Sequence, residues 1–494
     1  MNDTKDAKGT NTKEDSVPLP EERAVVTNHQ MQVGDRKIDY TATAGIMHIR
    51  NEKEKKAAAI FYTAYIEQNA NPTTRPITFC FNGGPGSCSV WLHLGAFGPK
   101  RIDMIDKEPP RPNHARLVDN EYTLLTQTDL VFIDPVGTGF SRSGEEGKDE
   151  DFFNVEGDAQ SLSQFIQQYI SQNQRWTSPK FLAGESYGTT RSGLMAKILG
   201  EKGVALNGLI LVSLAVNFQT FIAGLGNDLP YLLFLPTFTA TAWHQGKIAP
   251  NLAPNLDALL KEVRDWAFDV YAPALLKGSL LSHDDKYRIA QKLSQYTGID
   301  VDDIMNLNLR IADMRFAKSV LNRPGYTVGR MDGRYVGSDV DPDHRRTQTD
   351  PSINAPMGSY TGLINDHISR TLGFTSPHDY HILNMKTNQS WKWERKNHLG
   401  YPNTAPDLRA AMITNPHMQV LFANGLFDLA TPFFAAEYTA AHMNLPPELR
   451  ENIHLTYYPA GHMMYFHRES HQQLTADIFD LFHKSIAKEP KGTP

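Results

Sequence analysis

A series of short, unbroken apolar runs, each ended by a glycine-rich or polar turn, constrains this chain most strongly. They are Ile77-Thr-Phe-Cys-Phe81, Leu130-Val-Phe-Ile133, Lys180-Phe-Leu-Ala183, Leu209-Ile-Leu-Val212, Val420-Leu-Phe422 and His454-Leu-Thr-Tyr-Tyr458. Apolar runs of this length without alternation fit strands buried on both faces, as in a parallel sheet. Helical spacing lies between them, over 156–174, 188–200, 434–443 and 470–486. Strand and helix taken in turn imply an α/β fold with a mostly parallel central sheet flanked by helices. Upstream, residues 24–68 alternate apolar and polar and predict antiparallel strands.

The middle of the chain breaks this rhythm. From 216 to 400 buried-strand signals are sparse, aromatics and prolines are frequent, and helical stretches are expected near 255–271, 283–297 and 301–321. The expected organisation is a polar, disordered segment over 1–22, a first part of the core over 23–215, an inserted, mostly helical cap over 216–400, and a second part of the core over 401–494. The N-terminus has no apolar h-region. As written, the chain reads as cytoplasmic; removal of a leader would make it periplasmic or secreted. A formal charge of −6 with no basic tract speaks against nucleic acid as a partner. No apolar run reaches the roughly 18 residues that span a membrane. The two cysteines, Cys80 and Cys88, fit neither a disulfide framework nor a zinc spacing and read as buried thiols.

In an open parallel sheet, reactive groups gather where strands end. Gly184-Glu-Ser186-Tyr-Gly188 follows one apolar run and opens a helix. This is G-x-S-x-G in its strand–turn–helix setting, where a tight turn lifts the serine hydroxyl above the sheet. Ser186 is the expected nucleophile. It needs a base, and the base needs an orienting carboxylate. Asp428 follows the run at 420–422, and His462, in Ala460-Gly-His462, follows the run at 454–458. Of 18 histidines, only His462 combines a preceding strand, a glycine and the last-strand position. The order Ser186, Asp428, His462 matches the one this topology requires. Phe81-Asn-Gly-Gly-Pro-Gly86 ends an early strand and is the expected loop donor to an oxyanion hole, built from the N–H groups of Gly84 and Tyr187. Each such donor is worth about 3 kcal/mol in the transition state. The chemistry needs neither cofactor nor metal.

Four motifs together resemble the serine carboxypeptidases, a family of α/β-hydrolases: Asn82-Gly-Gly-Pro-Gly86, Asp134-Pro-Val-Gly-Thr-Gly-Phe-Ser141, Gly184-Glu-Ser-Tyr-Gly188 and Gly461-His-Met463. The stretch Asn424–Asp428 fits as well. The resemblance covers the core on both sides of the middle region. It implies a peptide substrate, with Asn82, Gly83 and Glu185 holding its free C-terminal carboxylate. Beside a carboxylate, Glu185 serves as a donor only when protonated, which a like-charge neighbour favours. The family's second glutamate is replaced by Ala96, which puts strong acid preference in doubt. The tryptophan before the asparagine is Phe81. The disulfides of eukaryotic members are absent, which implies a bacterial-type branch.

Two other readings share the motifs: an acyltransferase or esterase, distinguished by what the cap admits, and a binding protein that has kept the fold. Asp339, Asp341 and Asp343 mimic a calcium loop, but His344 and Asp350 occupy its glycine and glutamate positions, so a solvated acidic loop is expected. Trp391-Lys-Trp393 is read as packing aromatics. Asn388-Gln-Ser390 is a glycosylation sequon that matters only in a secreted eukaryotic protein.

Overall fold

The computed structural model describes residues 19–104, 114–144, 146–249, 252, 255–341, 344–396 and 398–486. Most of the expected disordered segment, and Asp343, therefore lie outside the described residues. The chain opens with three long strands, β1 (Arg23–Val33), β2 (Arg36–Arg50) and β3 (Lys56–Glu67), paired antiparallel. Shorter strands follow: β4 (Ile77–Phe81), β5 (Asp129–Ile133), β6 (Arg142–Ser143), β7 (Lys180–Glu185), β8 (Gly208–Val212), β9 (Gln419–Gly425) and β10 (Ile453–Tyr458). They form one sheet in the order β1-β2-β3-β5-β4-β7-β8-β9-β10, with β6 paired to β3. From β5 to β10 all pairings are parallel. Every residue of β4, β5, β7 and β8 is buried, as unbroken apolar runs require.

Helices cover both faces. On one lie α1 (Val155–Gln172), α2 (Tyr187–Glu201) and α7 (Ala405–Thr414); Leu162, Phe165, Leu194, Leu199 and Leu408 pack there against the sheet. On the other lies α9 (Arg468–Ile486), with the helical turn Trp91–Phe97 and α6 (Pro351–Asp366), which bring Leu474, Ile478, Leu94 and Tyr360. A third apolar core is built largely by α3 (Leu229–His244), α4 (Leu256–Trp266) and α5 (His283–Thr297), and Phe433 and Phe434 of α8 (Phe433–His442) join it to the body.

The middle region differs from its sequence reading in two respects. The expected helix over 301–321 is two short helices, Val301–Asn306 and Asp313–Ser319, separated by Asn308 and Leu309 at φ +51° and +67°. Helices α3 and α6 went unforeseen. Each carries an internal proline, Pro236 or Pro356, and α3 is buried nearly all round, so it shows no amphipathic period. Asp339 is not part of a solvated loop: its side chain is fully buried and pairs with Lys318 at 2.6 Å. Cys80 and Cys88 are buried free thiols. Among the described residues, no helix is long and apolar enough to cross a membrane.

Candidate active site

Four loops meet at the carboxyl ends of the parallel strands: those after β4, β7, β9 and β10. Ser186 follows β7 and starts α2 with φ +59° and ψ −128°. A non-glycine residue held there costs about 1–3 kcal/mol. Two contacts hold it: its N–H donates to Val212 O at 2.9 Å, prolonging the β7–β8 ladder, and the turn is packed too tightly for side chains beside it. A Cβ on Gly184 would lie 2.3 Å from Gly188 O and 2.5 Å from Ser192 Oγ. The strain therefore sits where a hydroxyl must be presented.

Asp428 and His462 meet behind this turn. His462 Nδ1–H donates to Asp428 Oδ2 at 2.7 Å, and both side chains are buried. Asp428 also accepts from the N–H groups of Ala430 and Thr431, at 2.8 and 3.0 Å, and from Thr431 Oγ1 at 2.7 Å. The carboxylate is thus fixed in place, and Nε2 is the imidazole nitrogen left for the cavity. Burial pulls the His462 pKa down, but the charge and hydrogen bond of Asp428, helped by Glu185, outweigh it, so the net shift is upward. Ser186 and His462 line one cavity of about 300 Å3.

Gly83 and Gly84 enter that cavity from the β4 loop. Gly83 touches the nucleophile turn: a Cβ there would lie 2.4 Å from Tyr187 N. Gly84 and Tyr187 line the cavity beside Ser186. Tyr187 is the first residue of α2, so its N–H has no partner within the helix. The Asn82 amide oxygen accepts from Leu92 N–H at 3.0 Å, which aims its NH2 group towards Glu185. That group is buried and makes no hydrogen bond, though it lies close enough to favour the charged form of Glu185. The loop is anchored from below, where Arg191 donates to Asn82 O at 2.7 Å and to Asp158 at 2.7 Å, with Arg191 only 1% exposed.

Glu185 is buried, and burial raises its carboxyl to about 7 against the opposing pull of His462 and a hydrogen bond from Tyr465. The sequence reading looked to a like-charge neighbour. Burial by itself already raises the carboxyl, and the nearby charge of Asp428 adds a little. Tyr465 Oη donates to Glu185 Oε2 at 2.7 Å. Ala96 is buried, and its carbonyl accepts from His471 and Asn120, each at 2.8 Å.

The structure thus gathers Ser186, His462, Glu185, Tyr187, Asn82, Gly83 and Gly84 around one cavity, with Asp428 behind His462. Several neighbours were not singled out in the sequence. Tyr465 and Thr431 have just been described. Ser213 Oγ donates to His462 O at 2.6 Å. Met331 O accepts from His462 N–H at 2.6 Å, and Asp332 Oδ2 accepts from Gly461 N–H at 3.1 Å. None of these lies in a motif; only long-range packing brings them in. Both tryptophans pack as expected, Trp391 edge-on against Tyr187 at 5.2 Å and Trp393 against Phe218 at 4.9 Å, and Trp393 also lines the cavity. The Asn388 amide donates to Pro85 O at 2.9 Å, so the sequon side chain supports the glycine loop.

A nucleophile turn between a parallel strand and a helix, with acid and base on later loops, defines an α/β-hydrolase. The serine carboxypeptidase family model matches residues 34–475. The chain therefore belongs to the serine carboxypeptidase family. It is similar to Serine carboxypeptidase-like 5 of Arabidopsis thaliana, 28% identical over 35% of this chain and 37% of that protein. It is also similar to Serine carboxypeptidase-like 46 of the same plant, 25% identical over 50% of this chain and 56% of that protein. The matched stretch thus spans about a third to a half of these curated relatives. Among solved structures, Kex1(delta)p, a prohormone-processing carboxypeptidase from Saccharomyces cerevisiae, shares the fold. Its TM-score is 0.57 at 17% identity, covering 90% of this chain and 92% of that one.

Proposed function

We propose that the protein is a serine carboxypeptidase that removes the last residue of a peptide through an acyl-enzyme on Ser186. The observation that carries this reading is a buried Glu185 and an Asn82 NH2 group without a hydrogen-bond partner, sharing one cavity with Ser186 and His462. An ordinary esterase needs no such pair beside its nucleophile. A peptide's C-terminal carboxylate does need it: Asn82 donates one hydrogen bond and protonated Glu185 another, so a carboxylate is accepted without a cation.

In this reading His462 Nε2 takes the proton from Ser186 Oγ as the oxygen attacks the last peptide carbonyl. The N–H groups of Gly84 and Tyr187 receive the developing oxyanion. His462 then passes its proton to the departing amine, the C–N bond breaks, and a free amino acid leaves. Water repeats the sequence on the acyl-enzyme and restores Ser186. Asp428 fixes the imidazole tautomer throughout. The helical segment around α3–α5, within the region 216–400, acts as the cap that limits what enters.

Substituting Ser186→Ala tests the assignment. Peptidase turnover should fall by about 10⁶-fold, with an unchanged melting profile and loss of fluorophosphonate labelling. Wild-type turnover in that variant would overturn it. Transfer of the acyl group to added alcohols in preference to water would instead favour an acyltransferase.

A further inference from the structure

Two hollows adjoin the active cavity in series, each sharing wall residues with the next. The active cavity shares Phe221, Ile222 and Arg330 with one of about 230 Å3. That one shares Ala223, Tyr231 and Arg346 with another of about 990 Å3. Asn82 and Glu185 border the active cavity and neither of its continuations. A peptide whose terminal carboxylate sits at Asn82 and Glu185 therefore has this path for its upstream residues. An arginine stands at each junction.

The path is basic in an acidic protein. Lys286, Arg310, Arg330 and Arg346 border the two outer hollows, against Asp228 and Asp313. Both carboxylates are already engaged: Asp228 by Arg310 at 2.6 Å and Asp313 by Arg330 at 3.2 Å. Lys286 donates to the Asn308 amide oxygen at 2.6 Å. Among the described residues, neither Lys286 nor Arg346 has a carboxylate within ion-pair distance. Leu225 and Leu276, both highly exposed, supply apolar wall beside them.

We propose that this path binds the upstream part of an extended peptide carrying acidic side chains. The proposal deepens the carboxypeptidase reading and rests on it. Charge of this kind acts through partly screened Coulomb attraction, so its effect is moderate and falls with salt.

The test uses three N-blocked peptides ending in the same two residues: a dipeptide, a hexapeptide with glutamates upstream, and a hexapeptide with glutamines there. Within the wild-type enzyme, kcat/KM for the glutamate hexapeptide should exceed that for the glutamine hexapeptide about fivefold at low salt. Arg346→Glu should abolish or invert that ratio, and Lys286→Glu should reduce it. Because each ratio is taken within one protein, partial misfolding of a variant does not affect it. Equal rates for the two hexapeptides in wild type, or an advantage that survives both substitutions, would overturn the proposal alone. Failure to cleave any of the three by enzyme whose Ser186 reacts with a fluorophosphonate would instead sink the carboxypeptidase reading.

Discussion

The two ends of the active cavity handle charge by opposite physics. At the carboxylate end, Asn82, Glu185 and His462 are 1%, 3% and 3% exposed. Removing a carboxyl from water there raises its pKa, so in the proposed function recognition of a substrate carboxylate is set by a proton. Beyond Arg330, the path is open and its cations meet solvent. Attraction there is weak per contact and needs no proton. In the proposed function, that difference lets one site read the last residue of a peptide strictly and the rest of it loosely.

Stability should show the contrast most strongly. Arg191→Met removes one partner of the buried Arg191–Asp158 pair beneath Asn82. It should cost about 3–5 kcal/mol by denaturant unfolding, because Asp158 is left charged and buried. Arg346→Ala at the open end should change unfolding by about 0.5 kcal/mol or less. Comparable losses in the two variants would erase the distinction.

Selectivity comes next. Glu185 is a donor below its raised pKa of about 7 and an acceptor above it. His462 must be neutral to act as base, and its pKa is raised above the ordinary imidazole value, so activity climbs as pH rises through that raised pKa. For peptides, kcat/KM should therefore rise and then fall again above about 7; amide-blocked substrates should keep the first limb only. Glu185→Gln donates at every pH, so the descending limb should vanish. The ascending limb should move to lower pH, since Glu185 helps to hold His462 protonated. Near pH 6, where Glu185 already donates, the peptide-to-amide preference should change little; above about pH 8 it should exceed that of the wild type by about 10-fold or less, roughly one hydrogen bond. An identical peptide profile in the variant would remove Glu185 from carboxylate recognition.

Tyr465→Phe is subtler. The phenol donates to Glu185 and favours its charged form, so its removal should raise the Glu185 pKa by about one unit. The descending limb for peptides should move up accordingly, with little change for amide-blocked substrates. A limb that stays in place would show that Tyr465 only packs. Smallest of all should be the effect of salt. Raising ionic strength from 0.05 to 0.5 M (about a threefold shorter screening length) should slow long acidic peptides a few-fold and leave blocked dipeptides unmoved.

The parts legible in the sequence were those encoded locally. A buried strand shows itself as an apolar run, and a reactive turn as the glycines its backbone needs. Hence β4, β7, β8, β9 and β10, and with them Ser186, Asp428, His462, Asn82 and Glu185, could be placed in advance. Tyr465 could not, because its contact with Glu185 spans 280 positions and depends on how the segment after His462 packs against the sheet. Nor could α3, which is apolar on every side and carries Pro236; its helical form comes from burial between α4, α5 and α8. The solvated reading of Asp339 failed for a related reason: its partner, Lys318, belongs to a helix whose position only the folded middle region defines.

The bonds from Met331 and Asp332 to the His462 loop bear on engineering. Arg334 reinforces them, pairing with Asp332 at 2.7 Å and donating to Pro459 O at 3.1 Å. A middle region that merely shaded the site could be exchanged between relatives to change specificity. Here the stretch 330–334 is part of the scaffold that aims the base. A chimera should take its splice points inside α3–α5 and keep residues 330–334 from the same parent as Gly461 and His462; cutting elsewhere would transplant a lid and misalign the imidazole.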